Sequence, residues 1–79
     1  IIKVDEKVAH YFTRRNLFPN QEIIRRLENG ELLISCKNIH EREIIPLVQY
    51  WIQYLTIISP SELQEKMAKT LQQYLTNLN

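Results

Sequence analysis

Apolar residues change their spacing several times along this chain, and each change marks an element. Ile1, Ile2 and Val4 form a β-branched run that predicts a strand. Val8, Tyr11, Phe12 and Arg15 then recur at helical spacing. They predict a helix over residues 6–15 with Asp5 as its N-cap, because a carboxylate there accepts orphan backbone N–H groups. Residues 16–20, containing Pro19, read as a turn.

Residues 22–37 alternate around Asn29-Gly30, the strongest hairpin signal in the chain. A two-residue type I′ turn at this pair would set Leu27 opposite Leu32, Arg25 opposite Ile34 and Ile23 opposite Cys36. The other face would carry Ile24, Arg26, Leu33 and Ser35. That face is mixed rather than polar, which hints at a second contact.

Asn38-Ile39-His40-Glu41 suits a capping box before the next helix. Pro46 inside a helix removes a hydrogen bond and costs ~3 kcal/mol, so the regular helix is expected near Glu43 with Pro46 in its first turn. Ile45, Val48, Trp51, Ile52 and Leu55 share one face, and Leu47, Tyr50 and Tyr54 widen its apolar arc. Residues 56–59 predict a strand. Ser59, Pro60 and Glu62 then fit the N-cap, N1 and N3 positions of a last helix. Leu63, Met67, Leu71, Tyr74, Leu75 and Leu78 stripe that helix. The order predicts an α+β fold: a ferredoxin-like βαββαβ sandwich with an additional C-terminal helix.

Seventy-nine residues hold one domain, 1–79. An opening strand without an initiator Met suggests a fragment of a longer protein. The formal charge of +1 excludes a strongly basic nucleic-acid binder, with Arg14-Arg15 and Arg25-Arg26 as local exceptions. A single cysteine, Cys36, forbids an intrachain disulfide and suits a reducing, cytoplasmic compartment. No apolar run approaches the ~20 residues that span a membrane.

No catalytic constellation emerges. Cys36, His10 and His40 are too few and too scattered for a structural zinc site, which takes four ligands. Cys36 reads as a small core residue and the two histidines as surface. Ser59 is already a helix cap, and Glu41 and Glu43 suit the start of a helix dipole. One glycine cannot build a phosphate loop. We therefore expect no enzyme, no metal and no cofactor. Residues 32–36 contain no aromatic, which argues against an RNA-stacking sheet. Arg14, Arg15, Arg25 and Arg26 stay as candidate phosphate or ligand contacts, weighed against solvated side chains or pairing with Glu22 and Glu28.

Taken together, Asn29-Gly30-Glu31-Leu32-Leu33-Ile34, Glu43-Ile44-Ile45-Pro46-Leu47-Val48-Gln49-Tyr50-Trp51-Ile52 and Ile57-Ile58-Ser59-Pro60-Ser61-Glu62-Leu63 resemble the C-terminal extension (WCX) domain of WYL-domain transcriptional regulators. The resemblance runs from about Val8 to Leu75. One departure stands out: members often break the Trp helix with Gly or Pro, whereas Gln53-Tyr54 here continue it. The resemblance implies a parent with upstream winged-helix and WYL domains that regulates transcription and senses a ligand, nucleotide-type effectors included. It implies a non-catalytic regulatory domain that supports a homodimer and helps shape the effector site. Ile24, Leu33, Leu47, Tyr50 and Tyr54 are the candidate self-association residues, on the mixed sheet face and the over-wide helix arc. The alternative is single-stranded nucleic-acid or nucleotide-ligand binding through the arginine pairs. A stand-alone small-molecule-sensing domain is a third, weaker reading.

Overall fold

The computed structural model describes residues 1–37 and 39–78. Four strands and three helices alternate: β1 (Ile2–Val4), α1 (Ala9–Arg14), β2 (Gln21–Arg26), β3 (Leu32–Cys36), α2 (Glu41–Tyr50), β4 (Leu55–Ile57) and α3 (Ser61–Asn77). The strands form one antiparallel sheet in the order β2-β3-β1-β4. Consecutive strands joined through a helix therefore lie one strand apart: β3 sits between β1 and β2, and β1 sits between β3 and β4.

The period-2 pleat sorts the side chains. Ile2, Val4, Leu32, Ile34, Leu55 and Ile57 point to one face and are buried. They meet Ala9 and Phe12 of α1, Ile44 and Val48 of α2, and Met67 of α3 in a single cluster. The opposite face carries Lys3, Leu33, Ser35 and Thr56, none of them fully buried. The three helices thus cover one side of the sheet and leave the other open.

The hairpin departs from its expected register. Gly30 N–H donates to Leu27 O at 3.1 Å and Leu27 N–H to Glu31 O at 2.8 Å, so the loop is three residues, Glu28 to Gly30. Only Gly30 takes positive φ there, at +92°; Asn29 does not, as a type I′ turn would demand. Asn29 instead uses its side chain, accepting Glu31 N–H at 3.1 Å on Oδ1. The longer loop pairs Arg26 with Leu32 and Arg25 with Leu33. A bulge at Ile24 then shifts the register again, pairing Ile23 with Ile34 and Gln21 with Cys36. Each one-residue slip exchanges the faces of the side chains beyond it. Arg26 therefore lies on the helix side and Arg25 on the open side, the reverse of the expected placement.

The helix ends differ from expectation in detail. α1 starts only at Ala9, because Asp5 spends its carboxylate on Lys7 N–H (2.8 Å) and its carbonyl on Val8 N–H, forming a turn before the helix. α2 starts at Glu41, earlier than expected, capped by His40, whose Nδ1 accepts Arg42 N–H at 3.1 Å. Pro46 consequently falls inside the helix. The Asn38 end of the expected capping box lies outside the described residues. α2 stops at Tyr50, and residues 51–54 form turns rather than continuing the helix, with Tyr54 and Leu55 N–H both bonded to Trp51 O. Ser59 is not the cap of α3. Pro60 holds that position at φ −72°, ψ 159°, and no side chain caps it. The extended backbone at Pro60 delays the helix by one residue.

The first half of α3 closes the core. Met67 is buried, Leu63 packs beside it, and Gln64 Nε2 donates to Ile57 O at 3.0 Å. Lys66 Nζ meets Glu41 Oε1 at 2.5 Å, fastening α3 to the start of α2. The second half leaves the body: Tyr74, Leu75 and Leu78 are 54–65% exposed.

Candidate functional site

α1 supplies one wall of an open pocket of about 360 Å³ lined by Tyr11, Arg14, Arg15, Leu17 and Trp51. The helix is short, and its spacing turns Phe12 inward while Tyr11, Arg14 and Arg15 stay exposed. The chain then doubles back, and a buried amide holds the return. Gln21 Oε1 accepts Leu17 and Phe18 N–H at 3.2 and 3.3 Å, and its Nε2 donates to Phe12 O at 3.0 Å. That last bond satisfies a carbonyl near the C-terminus of α1, which lacks a helical partner. Sequence reasoning missed Gln21. A polar residue opening a strand gives no hint that its side chain will be buried among backbone groups.

The opposite wall is Trp51, the C-cap of α2, whose N–H bonds Leu47 and Val48 carbonyls. Its ring meets buried Phe12 edge-on at 5.4 Å and Tyr11 at 5.9 Å, with the planes 44° apart. Tyr50 abuts it at 5.5 Å, and His10 lies 4.1 Å from Tyr11. Such tilted and edge contacts are the favoured aromatic geometries. An aromatic ridge, anchored through Phe12 and wet at Tyr11 and Tyr50, thus runs beside two guanidinium groups.

Those guanidinium groups have no carboxylate partner among the described residues. Every ion pair found among the described residues uses a lysine: Lys3–Glu31, Lys37–Glu22 and Lys66–Glu41. Glu22, one expected partner for the β2 arginines, pairs with Lys37 instead. The two arginine pairs do not converge. Arg26 lines a shallow depression with Glu6, His10 and Glu31, and Arg25 lies across the sheet beside Leu33.

A second cavity of about 260 Å³ lies between β1, the start of α2 and the start of α3, lined by Ile2, Cys36, Ile39, Glu41, Ile44 and Leu63 among others. Burial pushes the Cys36 thiol up from its ordinary value, with the chain-terminal ammonium opposing, so it is not an activated nucleophile. The Lys66 hydrogen bond, and then its charge, hold the Glu41 carboxyl below its ordinary value. No group of three or more His, Cys, Asp or Glu placed to hold a metal occurs among the described residues. No helix among them is long and apolar enough to cross a membrane.

A family model described as the WCX domain matches residues 1–75. This chain belongs to the WCX family. WCX domains are C-terminal domains of WYL-type regulators, so the match supports a place in transcriptional regulation. No curated protein matches the chain, and no solved structure does. On this WCX domain the expected self-association residues do not form one patch. Ile24 and Leu33 lie on β2 and β3, with Ile24 exposed at the bulge and Leu33 half-buried on the open face. Leu47 and Tyr54 are half-buried and pack against the core. Tyr50 is 79% exposed, beside Trp51 on the aromatic ridge. Among the described residues of the WCX domain, the outer half of α3 presents a further exposed apolar surface: Leu71, Tyr74, Leu75 and Leu78.

Proposed function

We propose that this WCX domain is a non-catalytic regulatory unit of a WYL-type DNA-binding regulator, supporting self-association and effector sensing. The strand order β2-β3-β1-β4, antiparallel throughout, supports reading it as a ferredoxin-like sandwich. The observation that carries the self-association half is the outer part of α3. Leu71, Tyr74, Leu75 and Leu78 repeat at i, i+3, i+4 and i+7 and are all exposed. Residues 70–78 contain no charged side chain. A two-fold contact sets a surface against its own copy, so any net charge on it would be repelled. This segment combines apolar anchors with charge neutrality, and homodimerisation suits it.

Sedimentation of the chain across a concentration series tests the proposal. We expect association in the wild type and a monomer for Leu75→Glu. Because Leu75 is exposed, that variant should keep its thermal midpoint. Association unchanged by Leu75→Glu, or a wild type that stays monomeric at high concentration, would refute self-association through α3.

A further inference from the structure

We infer that the groove between the end of α2, β4 and the first half of α3 receives the outer half of α3 from a second copy, and that the exchange is reciprocal. The inference rests on the self-association half of the function proposed above and gives the exposed stripe its receptor. The groove holds about 240 Å³. Val48, Leu55 and Met67 form its buried floor, and Ile52, Ala68 and Leu71 stand exposed at its rim. No charged side chain lines it.

One face of one helix carries both the groove wall and the stripe. Gln64, Met67, Ala68 and Leu71 line the groove, and Tyr74, Leu75 and Leu78 continue the same i, i+3, i+4 spacing beyond it. At ~100° per residue they all fall within an arc of about 120°. Glu62, Glu65, Lys66 and Lys69 fall on the opposite side of the helix. The inner half of this face is therefore concave, backed by α2 and β4, while the outer half stands free. A two-fold axis near Leu71 exchanges the two halves between copies. It sets Tyr74 against the small Ala68, Leu75 against Met67 and Leu78 beside Gln64. An isologous contact makes one surface serve as both partners, and an amphipathic helix seated in an apolar groove is a recurring recognition mode. Size argues against pairing the outer halves alone, because stable interfaces engage about 20–30 residues a side and that contact offers four apolar anchors. Docking in the groove engages anchors and rim together, twice over. A foreign helix would fill the groove but leave the stripe of α3 bare, whereas a second copy covers both.

Sedimentation of the wild type, Ile52→Arg, Ala68→Arg and Leu75→Glu tests the groove. Each substitution should weaken association at least tenfold, since each puts a charge into the contact. All three positions are exposed, so circular dichroism should show an intact fold in every variant. Ile52 lies off α3, which makes it the deciding position. Association lost in Leu75→Glu but unchanged in Ile52→Arg would overturn the groove and leave self-association through α3 standing. Association unchanged in Leu75→Glu, or a monomeric wild type, would overturn both. Disulfide trapping locates the axis. In a Cys36→Ser chain, Leu71→Cys should cross-link to its own copy under mild oxidation. Leu75→Cys should not, because the two copies of that position would lie about 12 Å apart along the paired helices, beyond disulfide reach. Cross-linking at position 75 instead, or at neither position in a chain that still associates, would overturn the assignment.

Discussion

Replacing Gln21 with Leu tests the reading of the α1–β2 return most directly. Gln21 is only 6% exposed, and its amide serves three backbone groups: Leu17 N–H, Phe18 N–H and Phe12 C=O. A leucine of similar volume keeps the packing but strands those groups. A net hydrogen bond contributes about 1 kcal/mol, and a buried group left unsatisfied costs about 1–3 kcal/mol. Part of the loss is recovered where Leu17 N–H reaches water, so about 2–5 kcal/mol is expected in total. A chain of this size has only about 4–12 kcal/mol to lose. In urea, with a slope near 1 kcal/mol/M, the midpoint should fall by about 2 M or more. A fall under about 0.5 M would refute the reasoning. Gln21→Glu supplies a second check. An ionised Glu accepts from both N–H groups but cannot donate to Phe12 O and buries a charge; a protonated one restores the donor. Its folded-state pKa should therefore be raised. The variant's stability should be greatest below the ordinary Glu value of about 4.3 and fall as pH rises through the folded value. A flat profile would contradict the assigned bonding.

Other predictions follow from single features. Glu41 has a lowered pKa, so its pairing with Lys66 stabilises above the ordinary value of 4.5 and is lost as pH falls below it through the folded value. Lys66→Met should lower the thermal midpoint slightly at neutral pH, leave it unchanged well below the folded Glu41 value, and so flatten that acid-side decline. Gly30→Ala should cost about 1 kcal/mol or more by urea titration, because a side chain at φ +92° is strained. The new Cβ would also sit 3.1 Å from Glu6 Cβ. Ile34→Ala removes a fully buried side chain from the centre of the sheet and should cost about 2–5 kcal/mol by the same assay.

The order of seven elements was legible because β-branched runs and helical spacings differ in period and each element is short. Boundaries were not, since they depend on competing caps. Asp5 meets its nearest N–H before a helix can start, and His40 rather than a later residue opens α2. The hairpin register was illegible for a sharper reason. Asn29-Gly30 serves equally in a two-residue turn and at the end of a three-residue loop, and these differ by one residue of register. The bulge at Ile24 leaves no mark in composition. The candidate site shows the same division. Arg14 and Arg15 stood out as charges on a nearly neutral chain. Their aromatic neighbours did not, because Tyr11 and Trp51 are separated by forty positions in the sequence and meet only once the end of α2 packs on Phe12 of α1. Arg25 and Arg26 looked like a pair because adjacency in sequence was read as adjacency in space, which a pleated strand denies.

The place of β1 carries a consequence for assembly of the fold. It is the first strand, it holds only three residues, and both its neighbours come from later in the chain. Its backbone cannot be satisfied until β3 has formed, and its second edge waits for β4, more than fifty residues on. The spine of the sheet is therefore laid last although it is made first. Its closure is the step of longest loop, and non-local closures of this kind slow folding. The β2–β3 hairpin, whose contacts are local, is suited to form early and wait with an open edge. Slow strand insertion, not hairpin formation, should set this domain's folding rate. Substitutions at Ile2 and Val4 should then slow folding more than equally destabilising ones in the distal turn.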